Sequence, residues 1–159
     1  KLKFLKLDEL FWNKGGEMLV KDCMTKNVVL GNPNITLREA AQKMRDGDFG
    51  ILPIAENDRL VGMLSDRDIA VWAVAEGKDP KQNLVRDFMS KDVFYCFEDQ
   101  TDTDVMSNLG QKQIRRLPVL NRDKKLVGIL SLGDLALKNA PAIEIEEALS
   151  HICKQNKTK

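Results

Sequence analysis

The chain is expected to adopt an α+β fold in which two pseudo-twofold related β-α-β-β-α repeats pack as one module, and three observations predict it. The segment Val20-Lys21-Asp22-Cys23-Met24-Thr25-Lys26-Asn27-Val28 returns 65 positions later as Val85-Arg86-Asp87-Phe88-Met89-Ser90-Lys91-Asp92-Val93. The same register carries Thr36 onto Thr101, Met44 onto Leu109 and Leu52-Pro53-Ile54 onto Leu117-Pro118-Val119. One extra residue within Asn121-Arg122-Asp123-Lys124-Lys125 then moves the offset to 66 and aligns Val61-Gly62-Met63-Leu64-Ser65 with Val127-Gly128-Ile129-Leu130-Ser131. A duplicated unit of this length builds a body with two equivalent clefts.

Each repeat can be read element by element. Thr36-Leu37-Arg38-Glu39 has the spacing of a capping box, with Thr36 capping the first turn and Glu39 reaching back. Leu37, Ala40, Ala41 and Met44 follow at helical spacing, so this helix buries one face. Its counterpart starts at Thr101 and keeps Val105, Met106 and Leu109, with Asp104 in the place of Glu39. Ile51 to Ala55 and Leu60 to Leu64 flank a polar turn around Asn57-Asp58 and read as a tight hairpin. Pro53 and Pro118 are expected at a strand start or an edge, because proline donates nothing to a ladder. A second helix runs from about Asp66 through Ile69, Ala70, Trp72, Ala73 and Val74 and stops near Gly77, a C-cap by composition. In the second repeat the helix from Asp134 is cut short by Asn139-Ala140-Pro141, and residues 143–152 form a last amphipathic segment. The expected organisation is an N-terminal extension over 1–18, a first repeat over 19–78, a linker over 79–84, a second repeat over 85–138, and a C-terminal helix and tail over 139–159.

Composition excludes several classes. The chain has 159 residues, 43% of them hydrophobic, enough for one sizeable core or two small ones packed together. Lys+Arg of 25 against Asp+Glu of 24 leaves a net charge of +1, so no basic field is set for nucleic acid or a membrane surface. No apolar run approaches a membrane span, and the first residues lack a signal-peptide core, so the expected location is the cytoplasm. Cys23, Cys96 and Cys153 contain no CxxC pair, which argues against a disulfide framework and a structural zinc site. Cys23 stands opposite Phe88 and is expected to be a small core residue. His151 lies near Cys153, but no carboxylate is placed to orient it as a nucleophile's base, so a surface histidine on a tail helix is expected. Residues 1–17 hold an apolar cluster of Leu2, Phe4, Leu5, Leu7, Leu10, Phe11 and Trp12, compatible with a short amphipathic helix seeking a partner surface on a dimer mate or on the domain's own flank.

The chemistry sits at Ser65-x-x-Asp68 and Ser131-x-x-Asp134. In each, a glycine-bearing strand ends in a serine at the start of a helix, with a carboxylate three residues on. Two readings share this spacing. It is close to a capping box that needs no ligand. It also suits a nucleotide: the helix start and the serine hydroxyl would face phosphate, the aspartate would accept a ribose diol, and Gly62 and Gly128 would admit the ligand closely. Other carboxylate pairs, Asp66/Asp68 and Asp102/Asp104, read as solvated faces. Neither a Gly-x-x-x-x-Gly-Lys-[Ser/Thr] loop nor a Gly-x-Gly-x-x-Gly fingerprint is present, so NTP hydrolysis and a dinucleotide fold have no support.

Val-x-Asp-x-Met-[Thr/Ser] opening each unit, Leu-Pro-[Ile/Val] in its middle and Leu-Val-Gly-[Met/Ile]-Leu-Ser-x-x-Asp closing it resemble, together, the tandem cystathionine β-synthase (CBS) domain pair, or Bateman module, of the small stand-alone bacterial type. The resemblance covers about Leu19 to Leu137. It implies an adenosine-containing ligand, with Asp68 and Asp134 at ribose and Ser65 and Ser131 near phosphate. It further implies that adenine lies near the first strand of each repeat, at Val28-Val29-Leu30 and Val93-Phe94-Tyr95, with Val28, Val29, Val93 and Tyr95 as candidate contacts. Arg115 and Arg116 match the place of phosphate-binding cations, where the first repeat has Gly50-Ile51, so unequal clefts are expected. The implied protein is a homodimeric sensor with no catalytic residue, no metal and no obligatory cofactor. AMP, ADP or ATP is the expected regulatory ligand ahead of S-adenosylmethionine or NAD, and a protein partner reads the state. A ligand-independent dimeric scaffold that uses Ser-x-x-Asp only for capping is the rival reading. An enzyme would instead turn over its bound ligand.

Overall fold

The computed structural model describes residues 18–57, 59–138, 140 and 142–154. The apolar cluster over 2–12 and Asp58, Asn139 and Pro141 lie outside them. In chain order the elements are α1 (Val20–Cys23), α2 (Leu37–Asp46), β1 (Ile51–Glu56), β2 (Arg59–Ser65) and α3 (Asp66–Asp68), which runs into a π-helical turn over Ile69–Val74. A 3-10 turn over Val85–Asp87 opens the second half. It is followed by β3 (Cys96–Phe97), α4 (Asp102–Lys112), β4 (Arg116–Leu120), β5 (Leu126–Ser131), α5 (Leu132–Leu137) and α6 (Ala142–Cys153). The fold is the α+β duplication that the repeat implied.

Both hairpins are antiparallel and share one register: Ile51 faces Ser65 and Ile54 faces Gly62 in the first, Arg116 faces Ser131 and Val119 faces Gly128 in the second. The first strand of each repeat begins later than expected. Val28–Leu30 and Val93–Tyr95 form no strand. Pairing starts at their successors, Gly31 beside Ile54 and Cys96 beside Val119, both parallel. The cause is burial, since Val29, Leu30, Phe94 and Tyr95 are exposed while Gly31 and Cys96 are buried. In the first repeat the chain passes so near β1 that a Cβ on Gly31 would lie 2.7 Å from Ile54 Cδ1, and the ladder shrinks to one residue.

The prolines lie mid-strand, and Pro118 occupies the central strand of the β3-β4-β5 sheet, against expectation. The ladder explains this. Met63, opposite Pro53, exchanges both backbone hydrogen bonds with Ser90, and Ile129, opposite Pro118, exchanges both with Thr25. Each proline is therefore in a non-hydrogen-bonded pair, and its nitrogen faces away from the hairpin partner. At Pro118 that side meets the start of β3, which pairs with Val119 and Leu120 and whose Cys96 thiol donates to the Pro118 carbonyl at 4.0 Å.

The two hydrophobic cores are crossed. One gathers Leu37, Ala40, Leu52, Ile54 and Leu64 of the first repeat with Val85, Phe88 and Met89, the opening of the second. The other gathers Val105, Leu109, Leu117, Val119 and Leu130 with Val20, Cys23 and Met24, the opening of the first. Gly62 and Gly128 serve this exchange. A Cβ on Gly62 would lie 2.7 Å from Met89 Sδ and 2.9 Å from Ser90 O, and one on Gly128 would collide with Met24 Sδ and sit 3.0 Å from Thr25 O. The close approach expected of a ligand is taken by the other repeat's opening segment.

The helices differ in cover. On α4, Val105, Met106 and Leu109 are all buried, with α6 lying across the helix and Ala148 Cα 3.5 Å from where a Cβ on Gly110 would stand. Among the described residues nothing equivalent to α6 covers the first repeat's helix, and Ala41, the counterpart of Met106, is exposed rather than part of the buried face. His151 is exposed on α6, as expected for a tail helix. After α3, Ala75 N–H donates to Ala70 O, an i→i+5 bond that widens the turn and leaves Trp72 and Val74 at 52% and 59% exposure. Gly77, at φ +71°, closes the segment: its N–H donates to Val74 O and that of Lys78 to Ala73 O, a Schellman motif. Among the described residues no helix is long and apolar enough to cross a membrane.

Candidate functional site

Both Ser-x-x-Asp motifs fold as reciprocal capping boxes. Ser131 N–H and Oγ donate to Asp134 Oδ2 at 2.8 and 2.6 Å, while Asp134 N–H donates to Ser131 Oγ at 3.0 Å. Ser65 and Asp68 repeat this at 2.8, 2.6 and 3.1 Å. Thr36 and Glu39 make the same box at the start of α2, and there the Thr36 backbone N–H, then its hydroxyl, hold the Glu39 carboxyl below its ordinary range. Capping geometry therefore does not by itself mark a ligand site. The serine hydroxyl proton is spent on the aspartate, so Ser131 orients the carboxylate rather than pointing a donor outward. The box also fixes which oxygen remains: the hydrogen bonds fall on Oδ2, and Oδ1 is left to accept from elsewhere.

What separates the motifs is their surroundings. Ser131 and Asp134 border a cleft of about 410 Å³ built from both repeats. The second repeat adds Arg116 and Ile129, and the first adds Thr25, Val28, Val29, Asp48, Phe49 and Ile51. The site thus brings together Ser131, Asp134, Arg116, Val28 and Val29. Thr25 is held there by its paired backbone bonds to Ile129, 2.8 and 3.0 Å. Asn27 and Asp48, at φ +60° and +52°, turn the chain at the rim, where asparagine and aspartate tolerate the left-handed region. These wall residues went unread in the sequence, although Thr25 carried a signal in the repeated Met-[Thr/Ser] step.

The remaining candidates lie elsewhere. Val93 and Tyr95 border a separate cleft with Arg59, Lys91 and Lys124. Ser65 and Asp68 border neither cleft, and Arg115 is exposed, offering its carbonyl to Leu132 N–H at 3.1 Å. In the strand register Arg116 occupies the position facing Ser131 that Ile51 occupies facing Ser65. Asp102, read as a solvated carboxylate, is buried, accepting from Met18 N–H at 3.2 Å and Thr103 N–H at 2.9 Å, where it anchors the crossing segment. Among the described residues no cluster of three or more His, Cys, Asp or Glu side chains could hold a metal ion. Cys23 and Cys96 are buried and Cys153 is exposed.

Comparison with known proteins agrees with this architecture. The CBS domain model matches residues 20–74 and again 85–139. CBS domain-containing protein YhcV of Bacillus subtilis (strain 168) is 39% identical over 137 residues, 86% of this chain and 96% of the relative. Among solved structures, Hypoxic Response Protein I with two coordinated zinc ions is 34% identical with a TM-score of 0.70, covering 78% of this chain and 100% of that one. The CBS domain pair of protein MJ0100, in complex with 5-methylthioadenosine and S-adenosyl-L-methionine, is 28% identical with a TM-score of 0.70, covering 77% of this chain and 95% of that one.

Proposed function

We propose that this chain, which belongs to the CBS domain family and carries two of its domains in tandem, is a regulatory module that binds an adenosine-containing ligand between its repeats and catalyses nothing itself. The observation that carries this reading is the convergence of Asp134, Arg116, Val28 and Val29 on one cleft of about 410 Å³ to which both repeats contribute. Asp134 Oδ1 would accept the ribose diol, with Oδ2 held by Ser131. Arg116 would take phosphate, and Val28 and Val29 would close on adenine. AMP, ADP or ATP fits a cleft that sets the Arg116 guanidinium beside the Asp134 carboxylate, with Asp48 a second carboxylate of the lining; S-adenosylmethionine and NAD present the same adenosine. The complex of the MJ0100 domain pair with two adenosine compounds supports the ligand class. A ligand touching both repeats stabilises one arrangement of them, shifting a population that a protein partner reads. The working form is a cytoplasmic homodimer, supported by the exposed apolar side chains of Val71, Trp72 and Val74.

The test is a thermal-shift series with adenosine ligands, guanosine nucleotides serving as controls, since a ligand of the native state raises the midpoint with concentration. Charge-assisted hydrogen bonds contribute about 1.5–3 kcal/mol, so Asp134→Ala is expected to weaken binding roughly tenfold to a hundredfold. Unchanged affinity in Asp134→Ala would overturn the assignment, and Asp68→Ala, which lies outside the cleft, is expected to bind as the parent does. The scaffold reading draws on the commitment of both aspartates to capping. It predicts that no nucleotide raises the midpoint at millimolar concentration.

A further inference from the structure

The residue inserted in the second repeat builds something the first lacks. Asn121 locks the loop: its N–H donates to Lys125 O at 2.9 Å, its carbonyl accepts from Lys124 N–H at 3.0 Å and its side-chain Oδ1 accepts from Lys125 N–H at 3.0 Å. Lys124 is thereby held at φ +63°. Its ammonium donates to Tyr95 Oη at 3.1 Å and stands 5.3 Å from that ring's centroid. Arg122 lies 4.2 Å from the centroid of the Phe97 ring, which meets Tyr95 edge to face at 5.5 Å, and is tied to Asp99 at 2.8 Å. The loop is therefore pinned to an aromatic pair and does not wave in solvent.

Beside it opens a cleft of about 480 Å³ lined by Arg59, Lys91 and Lys124, with Leu60, Val61, Val93 and Leu120 beneath and Asp123 the one carboxylate. None of the three cations forms a salt bridge among the described residues, where the ion pairs are Arg45–Asp46 and Arg122–Asp99. The lining thus carries three exposed cations against one carboxylate, a net positive charge beside apolar side chains. Tyr95 Oη accepts from Lys124, so its own proton is available to an anion. The pseudo-equivalent cleft is lined by Leu30, Gly31, Ala55 and Asn57, with Lys43 and Lys125 and no aromatic ring. Lys124 also stands beside the Tyr95 ring, which makes that face a poor seat for a base and a good one for an anion.

We propose that the cleft between Arg59, Lys91, Lys124 and Tyr95 is a second binding site, distinct from the Asp134 cleft, that takes an oligophosphate anion. Arg59 presents a fork to one phosphate, the two ammonium groups neutralise the neighbouring charges, and Tyr95 donates through its hydroxyl. This site does not depend on the adenosine reading, because the two clefts share none of their lining residues.

The experiment titrates sodium tripolyphosphate into the full chain at low ionic strength by calorimetry, with sodium chloride of matched ionic strength as the blank. Saturable binding is expected in the parent chain and in Arg116→Ala, weakened roughly tenfold in Lys124→Ala and in Arg59→Ala, in keeping with the loss of one charge-assisted contact. Tyr95→Phe removes only the hydroxyl and is expected to weaken binding less than either. A parallel titration with uridine triphosphate separates the sources: tighter binding than tripolyphosphate assigns the site to a nucleotide's phosphate chain, and equal or weaker binding to the free anion. Heat no different from the salt blank, undiminished binding in Lys124→Ala and Arg59→Ala, or loss in Arg116→Ala alone would each overturn the proposal.

Discussion

Gly77 and Gly128 are glycine for different reasons, backbone conformation at the first and crowding at the second. At Gly77 a Cβ would meet nothing within 4 Å, so only the φ of +71° resists substitution. Gly77→Ala should cost about 1 kcal/mol, the usual penalty of the left-handed region, and urea denaturation will read it as a lowered midpoint with unchanged slope. At Gly128 the backbone is ordinary but Met24 and Thr25 O press on the position. Gly128→Ala should cost about 1–3 kcal/mol through overpacking, and Met24→Ala should restore part of it in a double-mutant cycle. Cys96 makes a pH prediction. Burial pushes its thiol from 9.0 up to about 12. A folded-state value above the unfolded one means the associated stability is intact below pH 9.0 and is lost as pH climbs toward about 12. Alkaline denaturation followed by circular dichroism should show that decline, and Cys96→Ser should flatten it. Cys23, raised by burial first and by Asp102 second, adds to the same trend.

The capped helices were the most legible elements. Thr36 and Thr101 announced the starts of α2 and α4, and the structure places both as N-caps accepting from the residue three positions on. Of these two helices only α2 has a reciprocal carboxylate, Glu39 returning to Thr36, whereas Asp104 makes no such bond to Thr101. Thr36→Ala should therefore cost more than Thr101→Ala, with the first near the upper part of the ordinary range of about 0.5–2 kcal/mol. The difference can be read from thermal midpoints. What sequence patterns missed were features set by distant neighbours. Periodicity along one helix placed Ala41 on the buried face, but among the described residues no counterpart to α6 covers it. Val28 to Leu30 had strand composition, yet pairing began at Gly31, where β1 comes within reach. Asp102 looked like one more turn carboxylate until the crossing segment delivered the Met18 N–H. In the candidate site, Asp134 was legible from the repeated Ser-x-x-Asp motif and Arg116 only through the family resemblance; Phe49 and Asp48 were not, since only the fold brings the end of α2 to that cleft.

At the scale of the molecule, each core is completed by the other half's opening segment. A chain ending at residue 78 would lack Val85, Phe88 and Met89, and one beginning at residue 85 would lack Val20, Cys23 and Met24. Neither half should fold alone, and mixing the two should recover the circular dichroism of the whole; a folded, monomeric half would contradict the crossed arrangement. The crossing gives the connection over 79–84 a role that its polar composition conceals. It is already engaged, since Pro80 and Asn83 carbonyls accept from Arg38 and Leu37 N–H at 2.9 and 3.0 Å. A tether of this length keeps the exchange within one molecule by holding each opening segment at high effective concentration beside its recipient core. Shortening it would leave the segments' affinities intact while denying them their own partner, and the same contacts would then close between two chains as a domain-swapped dimer. Whether this protein is one chain or an intertwined pair is thus governed by six residues that touch neither cleft.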